Sequence, residues 1–272
     1  MRKKRRADIL KQLHAKAALG KPIFGIAADA EGATEYSLLM PPDFLVLDST
    51  LGGHLAERGP LSGLLAFGDA NGITLKMGDE VLPSLKKAPV FAGICGSDPF
   101  RVMRMLLEEL DEMGFAGVQN MPSVGIIDGT FRTNLEETGI GFSREVEMIA
   151  EAHECGLLTC PCVFDAGQAS AMTAAGADMI VAHMGLVAED DDTEECVARL
   201  RGIVNAVHRA AGTSLPLILC RGNALDASNL AALPHETLGT QGYLFACRHL
   251  PVETERMPAE MARIQAVIER TR

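Results

Sequence analysis

The sequence predicts a single α/β barrel in which eight parallel strands alternate with helices, and three observations predict it. From Lys21 onward the chain repeats one unit: a short β-rich apolar run, a polar or glycine-bearing loop, then an amphipathic helix. Such alternation implies a parallel sheet covered by helices. The apolar runs number eight, the count that closes a (β/α)8 barrel of the triosephosphate isomerase type. No proline- or serine-rich linker and no low-complexity tract divides the 272 residues, so one domain over 1–272 is expected, close to the size such barrels need.

In chain order, residues 1–20 read as an extra N-terminal helix. The basic run Met1-Arg2-Lys3-Lys4-Arg5-Arg6 leads into Ile9, Leu10, Leu13 and Ala17 at helical spacing, a solvated helix start and not a secretory signal. Residues 21–250 then carry the barrel. Its strands are expected at Pro22–Ala28, Phe44–Asp48, Val90–Cys95, Phe115–Met121, Leu157–Phe164, Asp178–His183, Leu215–Cys220 and Gly242–Ala246. Turn signals at Gly52-Gly53, Gly59-Pro60, Asn71-Gly72 and Gly78-Asp79 break residues 51–82 into short helices. Asp98 is placed to cap a helix that has Pro99 at its first position, Val102, Leu106, Leu110 and Met113 as its stripe, and Gly114 after its end. Ser143 and Asp165 each precede a further helix, the acidic run 189–192 precedes one over about 193–211, and a C-terminal helix lies within 251–272.

Composition excludes several classes of function. With 47% hydrophobic and 22% charged residues and no apolar run of membrane-spanning length, the chain reads as a globular protein with a large core and no membrane segment. A net charge of -11 repels a polynucleotide backbone, which makes nucleic acid an unlikely partner. The seven cysteines are odd in number, and Cys95, Cys160, Cys162 and Cys220 fall in or beside strands, as buried thiols do in a reducing cytoplasm. Cys160-Pro161-Cys162 has no second pair at zinc-ligand spacing, so it reads as core.

In a barrel of this type the active site sits at the C-terminal ends of the strands. That rule nominates Asp48, Cys95 with Gly96, Asn120, Phe164, His183, Arg221 and Arg248. It also nominates the long connection after the fourth strand, GVQNMPSVGIIDGTFRTNLEETGIGF, which reads as an ordered loop bearing Asp128, Arg132 and Glu136. Asp48 either caps a turn or faces the site, and His183 either points to the mouth or sits satisfied in the core. Arg132 has the fork to clamp a carboxylate or phosphate. Asp128 or Glu136 would act as a general base or as a ligand to a divalent cation such as Mg2+. There is no Walker loop, dinucleotide glycine fingerprint, nucleophile elbow or zinc-protease motif.

The runs LPSLKKAPVFAGICGSDPF, GFAGVQNMPSVGIIDGTFRTNLEETGIGF, EVEMIAEAH, LLTCPCVFDAGQA and AGADMIVAHMGL resemble the barrel enzymes known as phosphoenolpyruvate hydrolase-like, which are also similar to the C-terminal half of a plant antiviral resistance protein. The resemblance implies a barrel of the phosphoenolpyruvate/pyruvate superfamily assembled as a homo-oligomer. The sequence departs from the family where the first strand should enter a GAGTG-like loop and has Gly25-Ile26-Ala27-Ala28-Asp29-Ala30. It departs again after the seventh strand, where Arg221-Gly222-Asn223-Ala224 replaces an HGGP-like turn, and at the eighth, where Phe245-Ala246-Cys247-Arg248 replaces a GASS-like end. The last two positions usually hold phosphate in such barrels, and Arg221 and Arg248 would supply charged side chains there instead.

The expected activity is hydrolytic or lyase cleavage of a small anionic 2-oxo acid or its phosphorylated derivative. Arg132 would bind the anion, Asn120 and His183 would polarise it or exchange protons, and Asp128 or Glu136 would be base or metal ligand. The alternative is a barrel that has lost catalysis and binds a small ligand or protein partner in a regulatory role. The altered loops favour that second reading, and the intact Asn120 to Thr138 run opposes it.

Overall fold

The computed structural model describes residues 2–39, 41–52, 60–64, 68–85, 87–184, 193–221 and 239–246. Arg248, the acidic run 189–192, the turn 222–224 and the C-terminal segment 251–272 lie outside them. The strands are β1 (Ile23–Ala28), β2 (Phe44–Leu47), β3 (Val90–Gly93), β4 (Gly117–Gln119), β5 (Leu158–Thr159), β6 (Cys162–Val163), β7 (Met179–His183), β8 (Leu217–Arg221) and β9 (Gly242–Ala246). All pair in parallel, in the order β5-β4-β3-β2-β1-β9-β8-β7-β6.

The two ends of that order are halves of the single fifth run expected from sequence. Cys160 N still donates to Val118 O of β4 (3.0 Å), whereas Pro161, which has no N–H, turns its carbonyl to Val181 N of β7 (2.8 Å). One stretch of chain thus serves the fourth strand with its first half and the sixth expected strand with its second, and the barrel returns on itself there.

Two separate apolar clusters follow from this closure. Residues of one parity, among them Phe44, Val46, Phe91, Cys160, Val181 and Leu219, fill the inside of the ring. Those of the other parity, among them Ile26, Leu45, Val118, Ile180, Ile218 and Phe245, pack outward against helices. Both faces are buried, which is why the strands read as continuous apolar runs. Phe44 and Phe91 meet edge to face inside the ring, with centroids 5.4 Å apart. Glycines make room for them: a Cβ on Gly25 would stand 2.4 Å from the Phe44 ring and one on Gly117 2.5 Å from that of Phe91.

The helices among the described residues are α1 (Arg2–Ala18), α2 (Ala30–Leu39), α3 (Ala70–Val81), α4 (Met103–Met113), α5 (Gly129–Glu137), α6 (Phe142–Cys155), α7 (Ala166–Ala174) and α8 (Thr193–Ala210), with short 3-10 turns at Ser49–Leu51, Pro60–Gly63 and Val124–Ile126. None is long and apolar enough to cross a membrane. Gly114 and Gly156 end α4 and α6 in the left-handed region, at φ 105° and 79°, and Asp165 caps α7 through Gln168 N.

Five local expectations are corrected. The connection after β4 is not one extended loop, because Val124–Ile126 forms a turn and Gly129–Glu137 a helix that Arg132 and Glu136 share. Asp98 does not start α4, which begins after Val102. Its carboxylate is instead occupied by Phe100 N, Asn71 and Arg101. α6 is preceded by Gly141 and not Ser143, since Phe142 is already drawn into the core. The last residue of β8 is Arg221, one position beyond the expected strand.

The fifth correction concerns the basic N-terminal run, which is not solvated throughout. Leu13 of α1, with Ile9, Leu10 and Ala17 beside it, packs on the inner cluster and stops the N-terminal end of the barrel. Arg6 is buried there, donating to Gly156 O (2.8 Å) and Phe115 O (3.0 Å) and pairing with Asp111. Arg6→Met should therefore cost about 2–3 kcal/mol, from orphaned carbonyls and a lost charge-assisted contact, read in thermal melts as a fall of roughly 5–10 °C. Lys11→Met, at an exposed position of the same helix, should leave the melting temperature unchanged.

Candidate functional site

The inward parity of the lower strands, carried one step further, sets a polar layer at the C-terminal mouth. Phe44 and Val46 lead to Asp48, Gly117 to Gln119, Cys160 to Cys162 and Phe164, Val181 to His183, and Leu219 to Arg221. Contacts across the ring confirm the placement. Arg221 Nη2 donates to Asp48 Oδ2 (3.1 Å), Nη1 reaches Gln119 Oε1 (3.4 Å) and lies 3.9 Å from Cys162 Sγ, so one side chain of β8 touches groups from the second, fourth and fifth expected strands.

Arg221 is only 3% exposed, and its Nε has no hydrogen-bond partner among the described residues. A buried guanidinium with one ion-pair partner and an orphaned donor is poised for a further anion, since leaving such a donor unmade costs about 1–3 kcal/mol. Asp48 has two duties, for its Oδ1 also accepts from Thr50 N (3.0 Å) and Thr50 Oγ1 (2.6 Å) and so caps the Ser49–Leu51 turn. His183 is 7% exposed, with its ring 4.9 Å from that of Phe164. Burial, and secondarily the charge of Arg221, holds the imidazole well below its usual pKa, so it is neutral at pH 7. Burial pushes the Cys162 thiol up to about 12 and that of Cys95 to about 11, so neither is a thiolate nucleophile at neutral pH.

Beside this layer lies a second polar group that faces outward from β4. Asn120 Oδ1 accepts from Cys162 N (2.6 Å), and its Nδ2 donates to Cys162 O (3.1 Å) and to Glu145 Oε2 (2.5 Å). Glu145 of α6 also accepts from Ser123 Oγ and Val124 N, both at 2.7 Å. Burial raises this carboxyl and the three donors lower it, leaving a pKa of about 7. Cys95 and Gly96 adjoin the group from β3: Cys95 N donates to Asn71 Oδ1 (2.8 Å), and a Cβ on Gly96 would stand 3.0 Å from Glu145 Cα.

Of the nominated residues of α5, Arg132 stands near this group, its charge lowering the Glu145 pKa and its Nη1 3.4 Å from Val124 O. Arg132 Nε donates to Glu136 Oε1 (2.6 Å), and its guanidinium carbon sits 5.3 Å from the centroid of the Phe142 ring. Glu136 also accepts from Phe142 N (2.8 Å), so the pair fastens α5 to the start of α6. Asp128 is exposed at the first turn of α5 and caps it with no side-chain bond. Asp128 and Glu136 thus do not converge as a cation site, and among the described residues no three His, Cys, Asp or Glu side chains do. The structure brings together Asp48, Phe164, His183 and Arg221, ties Asn120 to them through Cys162, and commits Arg132 and Glu136 to each other, with Asp128 exposed.

Sequence reading missed Gln119 and Glu145. Each carried a signal, a polar residue on an apolar period: Gln119 lies between Gly117 and Met121 on the inward parity, and Glu145 lies on the buried stripe of Phe142, Met148, Ile149 and Ala152. Because folded Glu145 holds its proton to about pH 7 and the unfolded chain releases it near 4.5, its contribution is present at low pH and is lost as pH rises through 7. Urea melts from pH 5 to 8 should show wild type losing up to about 3 kcal/mol relative to Glu145→Gln, at about 1.4 kcal/mol per pH unit. Parallel profiles would show that the group does not titrate there.

A solved protein of Aquifex aeolicus VF5 shares this fold, with a TM-score of 0.57 over 97% of this chain and 98% of that one at 11% identity. The ToMV resistance protein Tm-1(GCR237) of Solanum lycopersicum is 42% identical over 266 residues, as is the ToMV susceptible protein tm-1(GCR26) of the same plant. Those matches cover 95% of this chain and 34% of each relative, so the chain spans about a third of their length. A putative transcriptional regulatory protein, y4pA, of Sinorhizobium fredii is 33% identical over 186 residues, 66% of this chain and 30% of that protein. The phosphoenolpyruvate hydrolase-like family matches residues 8–271, and the chain belongs to that family.

Proposed function

We propose that the barrel mouth binds a small anionic 2-oxo acid or its phosphorylated derivative and cleaves it next to the carbonyl, as a hydrolase or lyase, with Arg221 as the anchor. The observation that carries this reading is the nearly sealed Arg221 guanidinium at the C-terminal end of β8, held at one end by Asp48 and with Nε unmatched among the described residues. A carboxylate accepts from adjacent guanidinium nitrogens in a fork, which sets its plane as well as its charge. Membership of the phosphoenolpyruvate hydrolase-like family supports this choice of substrate class.

In this reading Asp48 and Gln119 orient Arg221, and neutral His183 meets the carbonyl or enol oxygen. A neutral imidazole has one donor and one acceptor nitrogen, so it can pass a proton to the oxygen that gains charge or take one from attacking water. Phe164 backs the ring and keeps water from that side. Arg132, paired with Glu136, serves the loop that walls the site.

A second reading is favoured by the mutual pairing of these groups. Asp48 is already shared between Thr50 and Arg221, as suits a barrel that binds a ligand or partner without turnover. Calorimetry and product assays with phosphoenolpyruvate, oxaloacetate and pyruvate separate the two. Arg221→Met alone would strand a buried Asp48 charge, at a cost of about 3–5 kcal/mol, so the informative variant is Asp48→Asn with Arg221→Met. Wild type should bind one of these anions, and the double variant should lose at least tenfold in affinity while melting within a few degrees of wild type. Binding without product establishes the regulatory reading, and no heat from any of the anions overturns the proposal.

A further inference from the structure

The fifth strand is the weak seam of the ring, because it changes partners within six residues. Its bonds to β4 end at Cys160 N, and Pro161 turns the chain toward β7. In a parallel ladder the N–H and C=O of one residue point to the same neighbour. Those of Cys162 point back toward β4, which has no backbone left to meet them. The Asn120 side chain takes both, with Oδ1 on the N–H and Nδ2 on the C=O. One amide thus stands in for a missing strand partner.

An amide can do this in only one of its two orientations, since a half-turn of the group would set donor against donor and acceptor against acceptor. The Glu145 carboxyl selects the working orientation, because Nδ2 of Asn120 lies 2.5 Å from Glu145 Oε2, and an amide oxygen there would face an acceptor oxygen that Ser123 Oγ already bonds. Ser123 and Val124 hold that carboxylate in turn. Downstream of the held residue, Cys162 Sγ lies 3.9 Å from Arg221 Nη1 and the Phe164 ring lies against His183.

We propose that Glu145 is a positioning residue for the barrel mouth: acting through the Asn120 amide, it fixes the 162–164 backbone and so sets Phe164 against His183 and Cys162 beside Arg221. That this mouth is the ligand site rests on the function proposed above, whereas the positioning itself is measurable without a ligand. Glutamine at 145 fills the same space yet carries one acceptor and one donor, so it must either oppose Val124 N–H or let the Asn120 amide turn over.

The experiment compares Glu145→Gln, Asn120→Ala and Arg6→Met. Asn120→Ala removes the relay and leaves the carboxylate, and it decides the question if Glu145→Gln fails to fold. Arg6→Met weakens the opposite end of the barrel without touching the relay. Amide exchange over residues 160–164 is followed by mass spectrometry at pH 8, where the Glu145 carboxyl is ionised. The His183 ring Cε1–Hε1 signal, assigned by its loss in His183→Gln, is followed by NMR, and phosphoenolpyruvate titrations are run in parallel. Exchange at least tenfold faster and a displaced His183 signal are expected together in the first two variants, with the His183 signal unmoved in Arg6→Met even though its melting temperature falls. Wild-type exchange and an unmoved His183 signal in Glu145→Gln or Asn120→Ala overturn the proposal, as does an Arg6→Met variant that moves both readouts equally. Altered readouts in the variants beside a wild type that binds no phosphoenolpyruvate uphold the positioning and count against the ligand reading alone.

Discussion

A sheet buried on both faces leaves no strand residue a route to water, so every polar side chain on it must be matched inside the protein. Below the mouth the inner face meets this by having none among the described residues: its layers are aliphatic, aromatic or thiol, with glycines beside Phe44 and Phe91. On that inner face polar groups enter at the C-terminal mouth, where Asp48, Gln119 and Arg221 have to satisfy one another across the lumen. Among the described residues the match stops short at Arg221 Nε. The desolvation that makes an orphaned donor costly is what supports the anion-binding role proposed for this mouth.

The two ends of the barrel are treated differently. At the N-terminal end α1 lays Leu13 against the inner cluster, and Arg6 fastens it to the carbonyls of Phe115 and Gly156. A cavity of about 470 Å³ lies beside those contacts, lined by Arg6, Ile9, Leu85 and Phe115 among others. At the other end, side chains converge from the ends of several strands, and the connections that surround them are tied down from outside by Glu145, Asn71 and the Arg132–Glu136 pair. Rigid outer ties of this kind are what hold a mouth in one geometry while its inner face stays available for chemistry.

The barrel was legible because eight apolar runs, each buried on two sides, repeat with helix punctuation that obeys local rules. Gly114, Gly156 and Asp165 stop or start helices as their chemistry dictates. Asp48, Phe164, His183 and Arg221 were legible for the same reason, since ending a strand of a parallel barrel is enough to face its mouth. Asp98 misled because its carboxylate has stronger partners in Asn71 and Arg101 than in a helix end, and neither could be seen from local spacing. The helix over Gly129–Glu137 was hidden because it buries no residue fully, so no apolar period announced it.

The sequence by itself determined the fold class, the family and the order of the strands, because periodicity, caps and long shared strings are local properties of the chain. Tertiary structure alone decided which polar groups pair. Arg221 meets Asp48 across 173 positions and Glu145 meets Asn120 across 25, and distance along the chain carries no information about such contacts. It also decided that Arg132 serves Glu136 while Arg221 keeps a donor with no partner among the described residues, a difference between two arginines that arises only when burial removes water as the competing partner.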